Sequence, residues 1–366
     1  MILGVLPEQG GSINNLARSG QDQRFIYYYL KRYADVFDRV YYFSYDNEQP
    51  FVSNNCSIMP NPGYHRWLYA ITLPFIYQKV FLQCDVFRVM QATGCIPAMI
   101  AKTIYRKPYV TTYGYNYFLT AHQDGMKFRP FIFKARALYG SRYADRVIVT
   151  SQSMINYVSR FLPKFKIIHL PNSVDTTQFT PTKKLSSDEI INILYVGRLS
   201  HEKNLFTLLD AAKLLDRDDI KITIIGSGEL REGLQNYAIN KQINVDFLGV
   251  IPNQELAKFY SFANIFVLPS LNEGHPKVLL EAMSCGLPCV GSNVSGIQDL
   301  IIDGETGLLC KPTAEDLAAK INQLLFNPSF AEKLGKSARE YIVNNFEISR
   351  LISKEIDLLK SVVSSK

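Results

Sequence analysis

Short apolar runs alternate with longer helical stretches along the whole chain, and this alternation limits the fold to a narrow class. Runs that read as strands lie at Ile2–Pro7, Val40–Tyr45, Val86–Met90, Tyr109–Tyr113, Val147–Ser151 and Ile167–Leu170. A second set lies at Asn192–Gly197, Lys221–Gly226, Val245–Leu248, Ile265–Pro269, Pro288–Ser292 and Gly307–Leu309. Helical stretches sit between most of them, among them Leu205–Leu215, Leu230–Lys241, Gln254–Phe262 and Ala314–Phe326. Strands spaced by helices of this length pair in parallel through βαβ crossovers. Right-handed crossovers then wind each set into an open sheet with helices on both faces.

At 366 residues the chain exceeds one ordinary hydrophobic core, so two domains are expected. The stretch Thr180-Pro-Thr-Lys-Lys-Leu-Ser-Ser-Asp188 is polar, contains proline and lacks a helical period, so it reads as the linker. The expected fold is α/β: two Rossmann-like doubly wound domains, 1–180 and 181–345, facing across a cleft, with a tail from 346 to 366. In that tail Ile348, Leu351, Ile352, Ile356, Leu359 and Val362 recur at helical spacing and must be buried somewhere.

Composition excludes several classes. With 47% apolar and 20% charged residues the chain is of the soluble globular type. It has no run of eighteen apolar residues, and Met1-Ile-Leu-Gly-Val-Leu6 reads as a first strand and not as a signal peptide. None of the six cysteines forms a C-x-x-C pair, and the five histidines have no partner at ligand spacing. A structural zinc site is therefore not expected, and reduced cytosolic thiols fit best. Charge is uneven: residues 1–180 hold 20 Lys and Arg against 10 Asp and Glu, residues 181–366 hold 20 against 23. A basic first half can face an anionic partner such as a lipid headgroup, or be a solvated surface.

The segment Pro269-Ser-Leu-Asn-Glu-Gly-His-Pro-Lys-Val-Leu-Leu-Glu-Ala-Met-Ser-Cys-Gly286 follows a strand directly. It sets Glu273 at a loop tip and Glu281 about one turn into a helix, with Pro276 in the first turn and Gly286 at the C-cap. Ligands bind at the carboxyl ends of strands in such sheets. Arg198 and Lys203 leave another strand end just before a helix. A planar guanidinium fork, a compact ammonium and a helix N-terminus together suit a diphosphate; the plainer reading is two surface cations in a βα loop. Gly226-x-Gly228 can admit a nucleotide closely or form a tight turn, and backbone groups of Val250 or Ile251 can meet a base edge. Gly10-Gly11 after the first strand can cradle a phosphate or simply turn.

Two stretches of the first half, Tyr64–Lys79 and Met126–Arg136, interleave aromatics with cations. They suit a lipid interface, or amphipathic core helices whose cations snorkel to water. No motif supports a nucleic-acid groove.

Taken together these residues resemble the retaining glycosyltransferases of the glycogen-synthase-like group, family 4, with the GT-B fold. The resemblance rests on Gly197-Arg-Leu-x-x-Glu-Lys-Asn204, Gly226-x-Gly228, Phe247-Leu-Gly249, Glu273-x7-Glu281 and Asp303-Gly-Glu-Thr-Gly-Leu308. In the first half it includes Gly10-Gly11, Ala144-Asp-Arg-Val-Ile-Val149, Ser151 and Pro171-Asn-Ser-Val-Asp175. It implies that Arg198 and Lys203 bind the donor diphosphate, that Glu281 holds the ribose, and that Glu273 contacts the donor sugar. The backbone of Gly274, His275, Pro276 and Lys277 would lie nearby, and Gly11 would pack on the diphosphate from the other domain. The first domain would bind the acceptor, the second the nucleotide-sugar, and the tail helix would cross back to the first.

The family histidine near the reacting sugar is missing. Tyr113 or Asn116 would occupy its neighbourhood, while His122 is out of register. The implied activity is transfer of a hexosyl unit from a UDP- or GDP-sugar to a glycan or lipid-linked acceptor, with no cofactor and no metal. The implied location is the cytoplasm, with peripheral contact to the inner face of the plasma membrane. Two alternatives stand beside it: a GT-B epimerase or phosphorylase, and a catalytically silent sugar-nucleotide-binding or scaffold subunit. A dinucleotide oxidoreductase is disfavoured because neither half has G-x-G-x-x-G after its first strand.

Overall fold

A computed structural model describes residues 1–114, 129–182 and 190–364. It divides into two units, Met1–Pro171 with Arg350–Lys366, and Asn172–Ser349.

The first unit holds a seven-stranded sheet. Its strands are β1 (Ile2–Leu6), β2 (Arg39–Phe43), β3 (Cys56–Met59), β4 (Val86–Val89), β5 (Tyr109–Tyr113), β6 (Arg146–Val149) and β7 (Ile167–His169), in the order β3-β2-β1-β4-β5-β6-β7. All pairs are parallel. The strands are apolar on both faces because helices cover both. Leu3 and Val5 face one core and Leu6 the other. The tail helix Ile348–Ser364 supplies Leu351, Ile352, Ile356, Leu359 and Val362 to the core of Leu3 and Val5. That is where the apolar stripe of the tail is buried, each side chain contributing about 1.5–3 kcal/mol. A buried ion pair fixes the same contact: Glu355 of the helix accepts from Arg88 of β4 and from the Tyr33 hydroxyl at 2.7 Å. Arg88 also donates to Thr112 Oγ1 at 2.7 Å.

The second unit holds β8 (Ile191–Val196), β9 (Ile220–Ile225), β10 (Val245–Gly249), β11 (Ile265–Leu268), β12 (Cys289–Ser292) and β13 (Leu308–Cys310), all parallel, in the order β10-β9-β8-β11-β12-β13. In each sheet the order reverses beside the first strand, between β1 and β4 and between β8 and β11. Each reversal opens a crevice at the carboxyl ends of the strands.

Two features differ from the sequence reading. β3 has no counterpart there; it is a four-residue edge strand whose apolar pattern is too short to register. The chain passes between units at Pro171/Asn172, ahead of the polar stretch from Thr180. Val174 and Phe179 are buried in the core of the second unit, which draws this segment into it. Among the described residues no helix is long and apolar enough to cross a membrane.

Candidate functional site

Two loops meet at the reversal point of the second sheet. One follows β8 and carries Arg198 and Lys203; the other follows β11 and carries Glu273. The first begins at Gly197, whose N–H donates to Ile225 O at 2.9 Å and continues the β8–β9 pairing. A short 3-10 turn, His201–Lys203, ends at Asn204 in the left-handed region (φ 56°), and the helix Leu205–Leu215 starts there. Asparagine tolerates this backbone better than most residues.

Three ties join the loops. Lys203 Nζ lies 2.7 Å from Glu273 Oε1. Leu271 N donates to Glu202 O at 2.8 Å. Asn204 Nδ2 donates to Pro269 O at 3.2 Å. Ser270, fully buried, donates its hydroxyl to the same Glu273 oxygen at 2.8 Å. A cation and a carboxylate are thus held in one place by neighbours that fix both before any ligand arrives. Preorganised charge of this kind stabilises charge that develops during a reaction.

Arg198 points outward, 69% exposed, with its guanidinium 3.1 Å from Glu202 Oε1. Its backbone carbonyl accepts from the Tyr195 hydroxyl at 2.8 Å, which fixes the start of the loop. Burial pushes the Glu202 carboxyl up, but the neighbouring Ser200 hydroxyl, its own backbone N–H and the charges of Arg198 and Lys203 outweigh this and hold it below its ordinary range.

The glycines bring two loops into close contact. A Cβ on Gly226 would lie 1.9 Å from Gly197 O, and one on Gly228 would lie 2.3 Å from Leu199 O. Their absent side chains let the loop after β9 press on the loop that carries Arg198 and Lys203. Leu199 N donating to Ser227 O at 2.9 Å secures that contact. Gly296 plays the same part behind Glu273, where a Cβ would meet Glu273 O at 2.6 Å and Gly274 O at 2.5 Å. Val250 is exposed just beyond β10.

Glu281 lies inside the helix Lys277–Ser284 and is 1% exposed. Its Oε1 accepts from Asn253 Nδ2 at 3.0 Å and its Oε2 from the Tyr260 hydroxyl at 2.9 Å. In this structure it ties two helices together. Pro276 is the N-cap of this helix and not its first helical residue. It has no N–H, so only Gly274, His275 and Lys277 offer amides there. The His275 ring is buried against Phe346, with centroids 5.6 Å apart, and its carbonyl accepts from Asn172 Nδ2 at 2.7 Å. Gly286 follows the helix with φ 72° and closes it.

In the first unit the Gly10–Gly11 loop is already bonded internally. Gly11 N donates to Glu8 O at 2.8 Å. The first amides of the next helix, Ile13 N and Asn14 N, donate to the Glu48 carboxylate at 2.8 and 2.7 Å. The amides of Gly11, Ile13 and Asn14 are therefore already bonded within the first unit. Tyr113 is fully buried against Tyr157 and shows no surface to a ligand. Asn116 and His122 lie outside the described residues.

Sequence reasoning found Arg198, Lys203 and Glu273, which the fold brings to one crevice. It assigned no role to Ser270, Asn204, Gly296, Asn253 or Tyr260. Asn204 and Ser270 stand inside the quoted motifs; Asn253, Tyr260 and Gly296 carry no local signal.

Comparison with known proteins bears on the family and the fold. The family model for glycosyl transferases group 1 matches residues 177–341, and that for glycosyltransferase family 4 matches residues 23–178. An uncharacterised glycosyltransferase of Methanocaldococcus jannaschii is 33% identical over 227 residues, 57% of this chain and 56% of that protein. A UDP-Gal:alpha-D-GlcNAc-diphosphoundecaprenol alpha-1,3-galactosyltransferase of Escherichia coli is 31% identical over 222 residues, 56% of this chain and 57% of that protein. In both, the match spans little more than half of the relative's length. The solved sucrose-phosphate synthase of Thermosynechococcus elongatus has the same fold, with a TM-score of 0.82 at 21% identity, covering 100% of this chain and 99% of that one. The strand orders, the crevice residues and the two family matches converge: the chain belongs to the family 4 type glycosyltransferases with the GT-B fold.

Proposed function

We propose that the protein transfers a hexosyl unit from a UDP- or GDP-sugar to a glycan or lipid-linked acceptor, with retention of anomeric configuration, in the synthesis of a surface polysaccharide or glycolipid. The observation that carries this reading is the fixed Lys203–Glu273 pair at the strand reversal, with Arg198 at its mouth. The donor's diphosphate binds there. The bond from the anomeric carbon to the diphosphate oxygen breaks through an oxocarbenium-like state, and negative charge grows on the leaving group. Lys203 and Arg198 meet that charge, so their contribution is larger in the transition state than in the ground state. The acceptor oxygen bonds to the same face of the anomeric carbon, and its proton passes to the departing phosphate oxygen. No metal or cofactor takes part in this scheme, because the two side-chain cations supply the positive charge.

The name of the Escherichia coli relative supports a UDP-sugar donor and a diphospholipid-linked acceptor. The basic first half supports contact with an anionic membrane at the cytoplasmic face. A panel of nucleoside diphosphates and nucleotide-sugars, followed by melting temperature, tests the donor site. A ligand bound only by the native state raises the melting temperature. One base should do so in the wild type and fail in Lys203→Ala. Flat melting curves across the whole panel would sink the reading. NMR of the product anomer tests retention.

A further inference from the structure

The two aromatic, basic stretches of the first half come together in the folded first unit. Trp67, in the helix Arg66–Ile76, lies under the guanidinium of Arg136, in the helix Arg129–Tyr143, with Cζ 5.0 Å from the ring centroid. Arg136 is anchored by donating Nη2 to Thr93 O, in the turn after β4. Beside them, Arg66 lies against the loop after β1: its Cδ is 3.5 Å from the position of a Cβ at Gly10. Arg66 is exposed and has no hydrogen-bond or carboxylate partner among the described residues. This corner is the reversal point of the first sheet, between β1 and β4.

Two buried donors around the same loop lack an acceptor: the hydroxyl of Tyr45 and Nε2 of Gln9. Tyr45 adjoins the loop through its N–H, which donates to Gly11 O at 3.2 Å. Burial raises the Tyr45 hydroxyl above its ordinary range while the Arg136 charge pulls it down, so the two groups are electrostatic neighbours. Buried donors without acceptors are rare in folded proteins and point to a missing partner. The exposed Arg66 guanidinium and two orphaned donors around one loop, with the Arg136 charge held beside them on Trp67, suit an acceptor-rich anion. From Trp67 (44% exposed) an apolar stripe continues along the same helix face through Ile71 and Phe75, both about half exposed. A charged head beside an exposed apolar stripe matches a lipid phosphate.

We propose that Arg66, Trp67 and Arg136 form the acceptor-phosphate subsite: the two guanidinium groups hold the phosphate or diphosphate of a lipid-linked acceptor, and its chain runs along Trp67, Ile71 and Phe75. The proposal rests on the glycosyltransferase reading above and deepens it by placing the acceptor.

Trp67 is the single tryptophan of the chain, so its emission reports this corner alone. The full chain, saturated with the nucleoside diphosphate that raises its melting temperature so that the donor site is filled, is titrated with geranyl diphosphate and with geraniol. A saturable change is expected with the diphosphate, with at least tenfold weaker binding of geraniol. Arg136→Gln and, separately, the exposed Arg66→Gln should each weaken the geranyl diphosphate response about tenfold while the melting shift with the nucleoside diphosphate persists. Three results overturn the proposal: no saturable response, equal affinity for geraniol, or, in a second titration with the donor site left empty, displacement of geranyl diphosphate by that nucleoside diphosphate, which would make the site the donor's. If no nucleoside diphosphate of the panel gives a melting shift, the glycosyltransferase reading fails first. If that shift is present and Trp67 stays silent, only the subsite fails.

Discussion

Lys203 Nζ and Glu273 Oε1 are 2.7 Å apart although 70 residues separate them in sequence, and both side chains are largely buried. Adjacent strands of a doubly wound sheet bring their loops together, and here the loops after β8 and β11 share this pair. Glu273 is the natural counter-charge of Lys203 before substrate binds, and Ser270 holds it in place.

Lys203→Ala should cut turnover by roughly a hundred-fold or more, the scale seen when one preorganised charge donor is removed. It also leaves Glu273 short of a partner, so stability should fall by about 1–3 kcal/mol. Steady-state kinetics and urea unfolding of the same variant measure both. Arg198→Ala, at an exposed position, should lose activity with little loss of stability.

Gly228→Ala should destabilise the second unit by about 1–3 kcal/mol and lower activity with it. The added Cβ falls 2.3 Å from Leu199 O and 2.6 Å from Leu199 C, backbone atoms that cannot move without shifting the Arg198 loop. Thermal melting and nucleotide affinity are the readouts. Wild-type stability with reduced nucleotide affinity would show instead that Gly228 acts on the ligand directly.

Glu355→Ala should destabilise the first unit by about 3–5 kcal/mol, because Arg88 is left buried without its counter-charge. Replacing both, as Arg88→Met with Glu355→Leu, should recover most of the loss. Urea titration of the three variants separates the pair from simple packing.

The Glu202 carboxyl is held below its ordinary value of 4.5. Its contribution to stability is therefore full above about that pH and lost as the pH falls through the lower folded value. In acid titrations followed by circular dichroism, Glu202→Gln should flatten part of this limb below pH 4.5 and leave neutral pH behaviour alone.

All six cysteines are buried and free, and burial pushes Cys56, Cys84, Cys95, Cys285 and Cys310 up to about 12. The thiolate is the reactive form, so native protein at pH 8 should not react with Ellman's reagent, whereas unfolded protein should titrate all six. Rapid labelling of the native chain would contradict the packing described above.

By itself the sequence determined the fold class, because strand and helix leave different hydrophobic periods and the strands here are buried on both faces. It also determined the residues in the crevice, because βα loops place Arg198, Lys203 and Glu273 at strand ends by topology alone. Tertiary structure decided what those residues touch. Gly226 and Gly228 look in sequence like room for a ligand, and packing makes them room for a neighbouring loop. Glu281 looks like an open acid and is enclosed by Asn253 and Tyr260, which no local pattern connects to it. Trp67 and Arg136 stand in separate stretches that each read as a core helix or a lipid-facing one, and only the fold stacks them. Hydrophobic periodicity is local and survives in one dimension. The partner of a charge or a missing Cβ is set by loops that meet only when the sheet is complete.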